Sequence, residues 1–227
     1  MRPLGVIGYG TLLSRASLAR TVGPEVARRA RFLPVWVEGY QRLFNLRPEH
    51  YEASLHVSPL PIELAAANLA PVAEARFNGV LFILDPEALD VLHQREQYYE
   101  RVTVRATPFP GGVAGADGGA SPEPPEAPEP PEAPERLEGL VYVGRPDSPW
   151  VAPWLGAGPD RLLPLWRDLV LARGSAYRMS PEVGRAFDAT TYLADGVTRT
   201  VDWYGDRLPD PLDPVFLDPL RSVPPDR

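Results

Sequence analysis

Residues 5–13 read GVIGYGTLL: a short apolar run closes on two glycines around Tyr9 and then meets Thr11, Leu12 and Leu13. An apolar run of this length bounded by glycine predicts a buried strand over residues 3–9, with a sharp turn after it. The glycines answer one of two needs. Either the turn requires a positive φ, or backbone N–H groups must come close to an anion, in a nest completed by the start of a helix. Tyr9 and Thr11 would then flank the opening with hydroxyls. A dinucleotide fingerprint would need glycine where Leu13 stands, and a nucleotide P-loop would need a lysine, which the sequence lacks altogether.

Downstream, residues 11–22 (TLLSRASLARTV) predict a short helix or helical turn. Residues 27–46 predict one or two strands broken at Pro34 and Gly39, and residues 73–84 (AEARFNGVLFIL) predict a strand pair or one long strand. Two further helices are expected over residues 159–174, ending at Gly174, and from Ser180 onward with Pro181 in the first turn. Strands and helices interleave without a regular βαβ alternation, so the expected class is α+β, a small mixed barrel or sheet packed with helices.

The helix over residues 85–99 (DPEALDVLHQREQYY) is the most informative. Asp85 is an N-cap, Pro86 suits the first helical position, and Glu87 complements the dipole. Ala88, Leu89, Leu92, Glu96 and Tyr99 fall on one stripe, which puts the Glu96 carboxylate on the apolar face. Such a group must be paired, hydrogen-bonded or raised in pKa. It is either a general base or acid, or a structural partner of an arginine such as Arg95 or Arg101.

Composition narrows the classes. The chain has 227 residues, which suits one medium domain, and 29 of them are proline. With no cysteine and no lysine, thiolate zinc sites, cysteine nucleophiles and Schiff-base chemistry are excluded. His50, His56 and His93 match no ligand spacing, so no metal is expected, and no G-x-S-x-G elbow is present. Residues 110–136 hold a Gly/Ala half and a tandem PEPPEAPEPPEAP, and are expected to be a disordered connection between two strands of one sheet, flanking the site. It reads as a passive linker or, alternatively, a proline-motif docking segment. From Asp117 to Arg136 the net charge is −5 of a total of −7, so the folded part is nearly neutral and offers no nucleic-acid footprint. No apolar run is long enough for a membrane helix and no signal peptide is legible, so the protein is expected to be cytoplasmic. The domain is expected over residues 1–205, with a Pro/Asp-rich tail over 206–227.

Taken in order, GYGTLL (8–13), VEGYQRLFN (37–45), FNGVLFILDPEALDVL (77–92), LHQREQYYERVTV (92–104) and LVYVG (140–144) resemble the γ-glutamylcyclotransferase-like family. That family also takes in AIG2-like and glutathione-specific ChaC-type proteins. The resemblance implies the family's fold and a cofactor-independent release of 5-oxoproline from a small γ-glutamyl amide or peptide. It implies that Tyr9, Gly10, Thr11 and Leu12 form the substrate loop, that Glu96 is the acid/base, and that Tyr99 and Arg101 are the aromatic and basic residues that follow it. Thr11 stands for the usual serine and His93 for a frequent aspartate. The tryptophan-bearing RRFWQ stretch of ChaC-type enzymes is absent, with YQRLFN in its place. A glutathione-specific enzyme and a non-catalytic binding module on the same fold are the alternatives.

Overall fold

The computed structural model describes residues 5–47, 54–55, 62–110 and 137–213. Its centre is β1 (Gly5–Gly8), every residue of which is buried. Buried on both sides, β1 runs antiparallel to β4 (Ile62–Phe82) and parallel to β6 (Leu137–Val143). β6 pairs antiparallel with β5 (Glu100–Pro108), β5 with β2 (Leu33–Leu46), and β2 returns to β4, closing a five-stranded barrel. Short strands β3 (Ser54–Leu55) and β7 (Leu162–Pro164) extend the β4 edge, and β8 (Thr191–Tyr192) extends β2. The mixed α+β class is therefore as expected.

Alternation along the strands sorts side chains between two cores. Ile7, Val35, Val37, Leu69, Phe77, Val104, Val141 and Val143 fill the barrel. Val6, Phe82, Leu140 and Tyr142 face outward under the helices. These are α1 (Arg15–Val22), α2 (Pro24–Arg29), α3 (Pro86–Arg95), α4 (Trp166–Met179), α5 (Pro181–Ala189) and α6 (Thr200–Tyr204). Their starts are chemically specified: the Asp85 side chain accepts from the Ala88 amide at 2.8 Å, and Ser180 from the Val183 amide at 3.2 Å, each followed by proline at the first position.

Several boundaries differ from the sequence expectations. Residues 27–29 belong to α2 rather than to a strand. β2 is continuous through Pro34; at Gly39 the register with β4 shifts, and the positive φ of 84° there marks a bulge that bends the strand without ending it. β4 begins at Ile62, well before the expected start. α3 ends at Arg95, whereas α4 starts only at Trp166 and continues through Gly174 to Met179. Apart from Pro110, the connection 110–136 lies outside the described residues, and so do residues 214–227 of the tail. The strands flanking that connection do pair as a hairpin, Ala106 opposite Leu137 and Glu100 opposite Val143. The expectation that the connection flanks the site falls on residues outside those described. Among the described residues no helix is long and apolar enough to cross a membrane.

Candidate active site

The turn after β1 is a single 3₁₀ turn, Thr11–Leu13, closed by the Leu13 amide donating to the Gly10 carbonyl at 3.0 Å. The amides of Gly10, Thr11 and Leu12 precede the first bond of that turn, and none has a backbone acceptor among the described residues. Neither Gly8 nor Gly10 has a positive φ, so the reason for glycine is proximity. A Cβ on Gly8 would lie 2.9 Å from the Leu12 carbonyl carbon and oxygen, and one on Gly10 would lie 3.1 Å from the Ala67 Cβ. The chain folds back on itself so tightly that Gly8 touches Leu12 main chain, and Tyr9, Gly10 and Thr11 lie between them.

They border a cavity of about 160 Å³, the scale of a small metabolite rather than a drug-sized ligand. Tyr9, Gly10, Thr11 and Leu12 form one wall, Ala66 and Ala67 of β4 another, and Arg95, Glu96, Tyr98 and Tyr99 a third, with Tyr142 and Asp168 completing it. Neighbouring elements hold these walls in place. The Tyr99 hydroxyl donates to the Ala67 carbonyl at 3.0 Å, pinning the segment after α3 to β4. The Leu165 amide donates to the Ala65 carbonyl at 2.8 Å, and this carries the first turn of α4, with Asp168, to the cavity.

Glu96 is the C-cap of α3, one residue beyond the helix, not the inward position of a helix running on to Tyr99. Its amide still donates to the Leu92 carbonyl at 3.0 Å, so the cap turn carries the carboxyl inward, where its side chain is 12% exposed. Burial pushes this carboxyl above the usual range, and the Arg95 guanidinium, 3.3 Å away, pulls it partly back. The negative end of the helix dipole acts in the same direction as burial. A carboxyl raised in this way is suited to take up and return a proton.

Arg95, weighed from sequence only as a structural partner of Glu96, is the hub of the site. It donates from Nη1 to Thr21 Oγ1 at 2.8 Å and from Nη2 to Thr11 Oγ1 at 2.9 Å, while its Nε faces Glu96. One guanidinium thus ties the glycine turn, α1 and the carboxyl together. The two hydroxyls expected at the opening are both engaged: that of Thr11 by Arg95, and that of Tyr9 by the Tyr142 carbonyl at 2.5 Å. Burial, and then the nearby Glu96, push Tyr9 well up, so it is a neutral phenol that anchors the turn. Arg101 is exposed on β5 and does not line the cavity, unlike Tyr99.

Among solved structures, the chain is similar to a γ-glutamyl cyclotransferase at 10% identity, covering 83% of this chain and 88% of that one with a TM-score of 0.50. An uncharacterized human protein is similar at 11% identity, over 84% and 89% of the two chains, again with a TM-score of 0.50. The chain has the γ-glutamyl cyclotransferase fold. A yeast γ-glutamyl cyclotransferase specific to glutathione superposes less well, at 13% identity over 83% and 96%, with a TM-score of 0.46. No protein-family model matches the sequence, and no curated protein shows significant similarity to it. At these identities the likeness concerns the fold, and the chemistry has to be argued from the side chains.

In this cyclotransferase-fold chain the sequence missed Tyr142 and Asp168 as cavity residues. Tyr142 reads as one more apolar position in LEGLVYV, and only its outward place on β6 brings the hydroxyl to the wall. Asp168 reads as a first-turn acid complementing the dipole of α4.

Proposed function

We propose that the protein is an enzyme that releases 5-oxoproline from a γ-glutamyl amine or peptide by intramolecular acyl transfer. The observation that carries this reading is that the elevated Glu96 carboxyl and the glycine turn Tyr9–Leu12 line the same small cavity. These are the two groups such a reaction needs. The substrate's α-ammonium carries three protons and the lactam nitrogen only one. Glu96 accepts a proton from that ammonium, and the freed amine attacks its own γ-carbonyl carbon, forming the ring C–N bond. The carbonyl oxygen becomes an oxyanion, which amides of Gly10, Thr11 and Leu12 can stabilise. Glu96 returns that proton to the departing nitrogen as the old C–N bond breaks, then relays the second proton from the ring nitrogen, so the amine leaves as an ammonium. Glu96 ends as it began, and no cofactor takes part. Nucleophile and electrophile belong to one molecule, so the protein's main task is to hold the near-attack geometry.

The test is 5-oxoproline release from γ-glutamyl dipeptides, γ-glutamyl-ε-lysine and glutathione. Turnover of any member supports the reaction class, and the ranking identifies the leaving group. Silence across the panel contradicts the reading.

Arg95 gives a second expectation. Arg95→Met removes the charge that holds the Glu96 carboxyl down and the bond that holds Thr11. Glu96 must be ionised to accept the first proton, so activity rises with pH through its pKa. In the variant that rise moves to higher pH, and kcat/KM at neutral pH falls by about tenfold. A pH profile of kcat/KM measures both; an unmoved acid limb would contradict the coupling.

A further inference from the structure

Tyr142, a cavity residue, meets His93, which does not line the cavity. Tyr142 stands on the outward face of β6, buried, with its ring in the wall. The hydroxyl lies 2.8 Å from Nδ1 of His93, on the last turn of α3, and the two rings meet edge to face with centroids 5.9 Å apart. His93 is three residues before Glu96, and no step of the reaction described above uses it. The charged and titratable groups around it are Asp90 on its own helix, Arg101 on β5 and Tyr142 on β6, with Glu96 raising Tyr142 from the cap and Arg101 and Arg95 lowering it.

The direction of this bond depends on protonation. A neutral imidazole can offer Nδ1 as an acceptor, and the phenol is then the donor. Burial and the neighbouring Glu96 push Tyr142 up, so its proton is retained and needs an acceptor. An imidazolium has only donors, so its Nδ1–H must point at the phenol oxygen, and the phenol's own proton has to turn elsewhere. Tyr142 lines the cavity, whereas His93 does not.

We propose that His93 is a positioning residue: while neutral it takes the Tyr142 proton and turns the phenol's lone pairs toward the cavity as an acceptor for substrate N–H groups, and on protonation it reverses the bond and withdraws that acceptor. The ligand class this favours is an amine or ammonium group held against Tyr142, which is what the α-ammonium of a γ-glutamyl compound supplies. This substrate half rests on the cyclotransferase reading. Burial first, and then Arg101, lower His93, with Asp90 partly offsetting them. The acceptor form is therefore the one favoured at neutral pH, and the reversal comes at a lower pH than for a free imidazole.

Two readouts test this on the full chain. The first is nitrogen NMR of protein labelled in its three histidines, with His93 assigned by its loss in His93→Asn. At about pH 7.5 the bare nitrogen of His93 should be Nδ1, and Tyr142→Phe should mix the two tautomers. A protonated Nδ1 at that pH would overturn the proposal. The second is KM for whichever γ-glutamyl amide the protein turns over. As the pH falls through the His93 transition read from the nitrogen shifts, the wild-type KM should rise about tenfold, beyond the Glu96 limb seen in kcat. His93→Asn keeps an oxygen near the Nδ1 position but does not titrate, so its KM should be flat. A KM rise that persists in His93→Asn would overturn the proposal. Absence of any turnover would sink the cyclotransferase reading and the substrate half with it, while the nitrogen shifts still decide the direction of the bond.

Discussion

Glu96→Gln is expected to lower 5-oxoproline release by a factor of about 10² to 10⁴, the usual range for a positioned acid/base, with the fold intact. The amide keeps the shape of the carboxyl but can neither take the first proton nor return it. The same substitution should raise thermal stability at neutral pH. Burial holds the Glu96 carboxyl above its unfolded value, so the folded state binds that proton more tightly than the unfolded chain does. The associated stability is fully present below the unfolded carboxyl pKa and is lost as pH rises through the folded one. Near pH 7 wild-type Glu96 is thus a net cost, which glutamine removes, and Arg95 retains Thr11 and Thr21 as partners. Thermal melts at about pH 7.5 and pH 4 should show the variant more stable at the first and the gap closing at the second. A variant less stable at neutral pH would mean that the carboxylate is a structural ion-pair partner after all, and retained turnover would remove Glu96 from the chemistry.

The largest expected loss of stability follows Arg42→Ala. This arginine of the QRLF run is completely buried. It donates from Nη1 to Thr191 Oγ1 at 2.9 Å, and from Nη2 to the backbone and side-chain oxygens of Asn78, with its guanidinium 4.4 Å from the Phe187 ring centre. It therefore joins β2, β4, β8 and α5 at one point. Burial pulls its pKa down to about 9, still above neutral, so the group is a charge inside the protein. Truncation leaves a cavity and buried oxygens without donors, a loss of about 3–5 kcal/mol. Urea denaturation measures it, and Arg42→Met, which restores volume but not hydrogen bonds, should fall in between. A loss under about 1 kcal/mol would show that these contacts do not hold the barrel together. Against a typical total of about 5–15 kcal/mol, the alanine variant is expected to be marginal at best.

What was legible in the sequence was what local chemistry specifies. β1 announces itself by an apolar run ending in glycine, and α3 by Asp85 and Pro86. The glycine turn and Glu96 both stand out in the sequence, because a bare backbone and a carboxylate on an apolar stripe are each anomalous where they stand. What was not legible depended on partners distant in sequence. Residues 62–72 (IELAAANLAPV) are rich in alanine, a poor strand former, and are held extended by pairing with β2 and β7. The small side chains make sense only in three dimensions, since Ala67 lies where the Gly10 turn comes closest. Glu96 was expected on a helix that in fact ends one residue earlier; the cap, not the helical stripe, carries it inward. The hydroxyl of Tyr9 was expected at the opening and is bonded to the main chain of β6, a pairing no local pattern encodes.

The most direct test of the central claim is turnover of the best substrate in water enriched in ¹⁸O. Intramolecular attack by the α-amine uses no water, so 5-oxoproline and the free amine should appear in equal amounts, the 5-oxoproline unlabelled and no glutamate formed. Glutamate carrying ¹⁸O in its γ-carboxylate would mean that water is the nucleophile and that the site is a hydrolase.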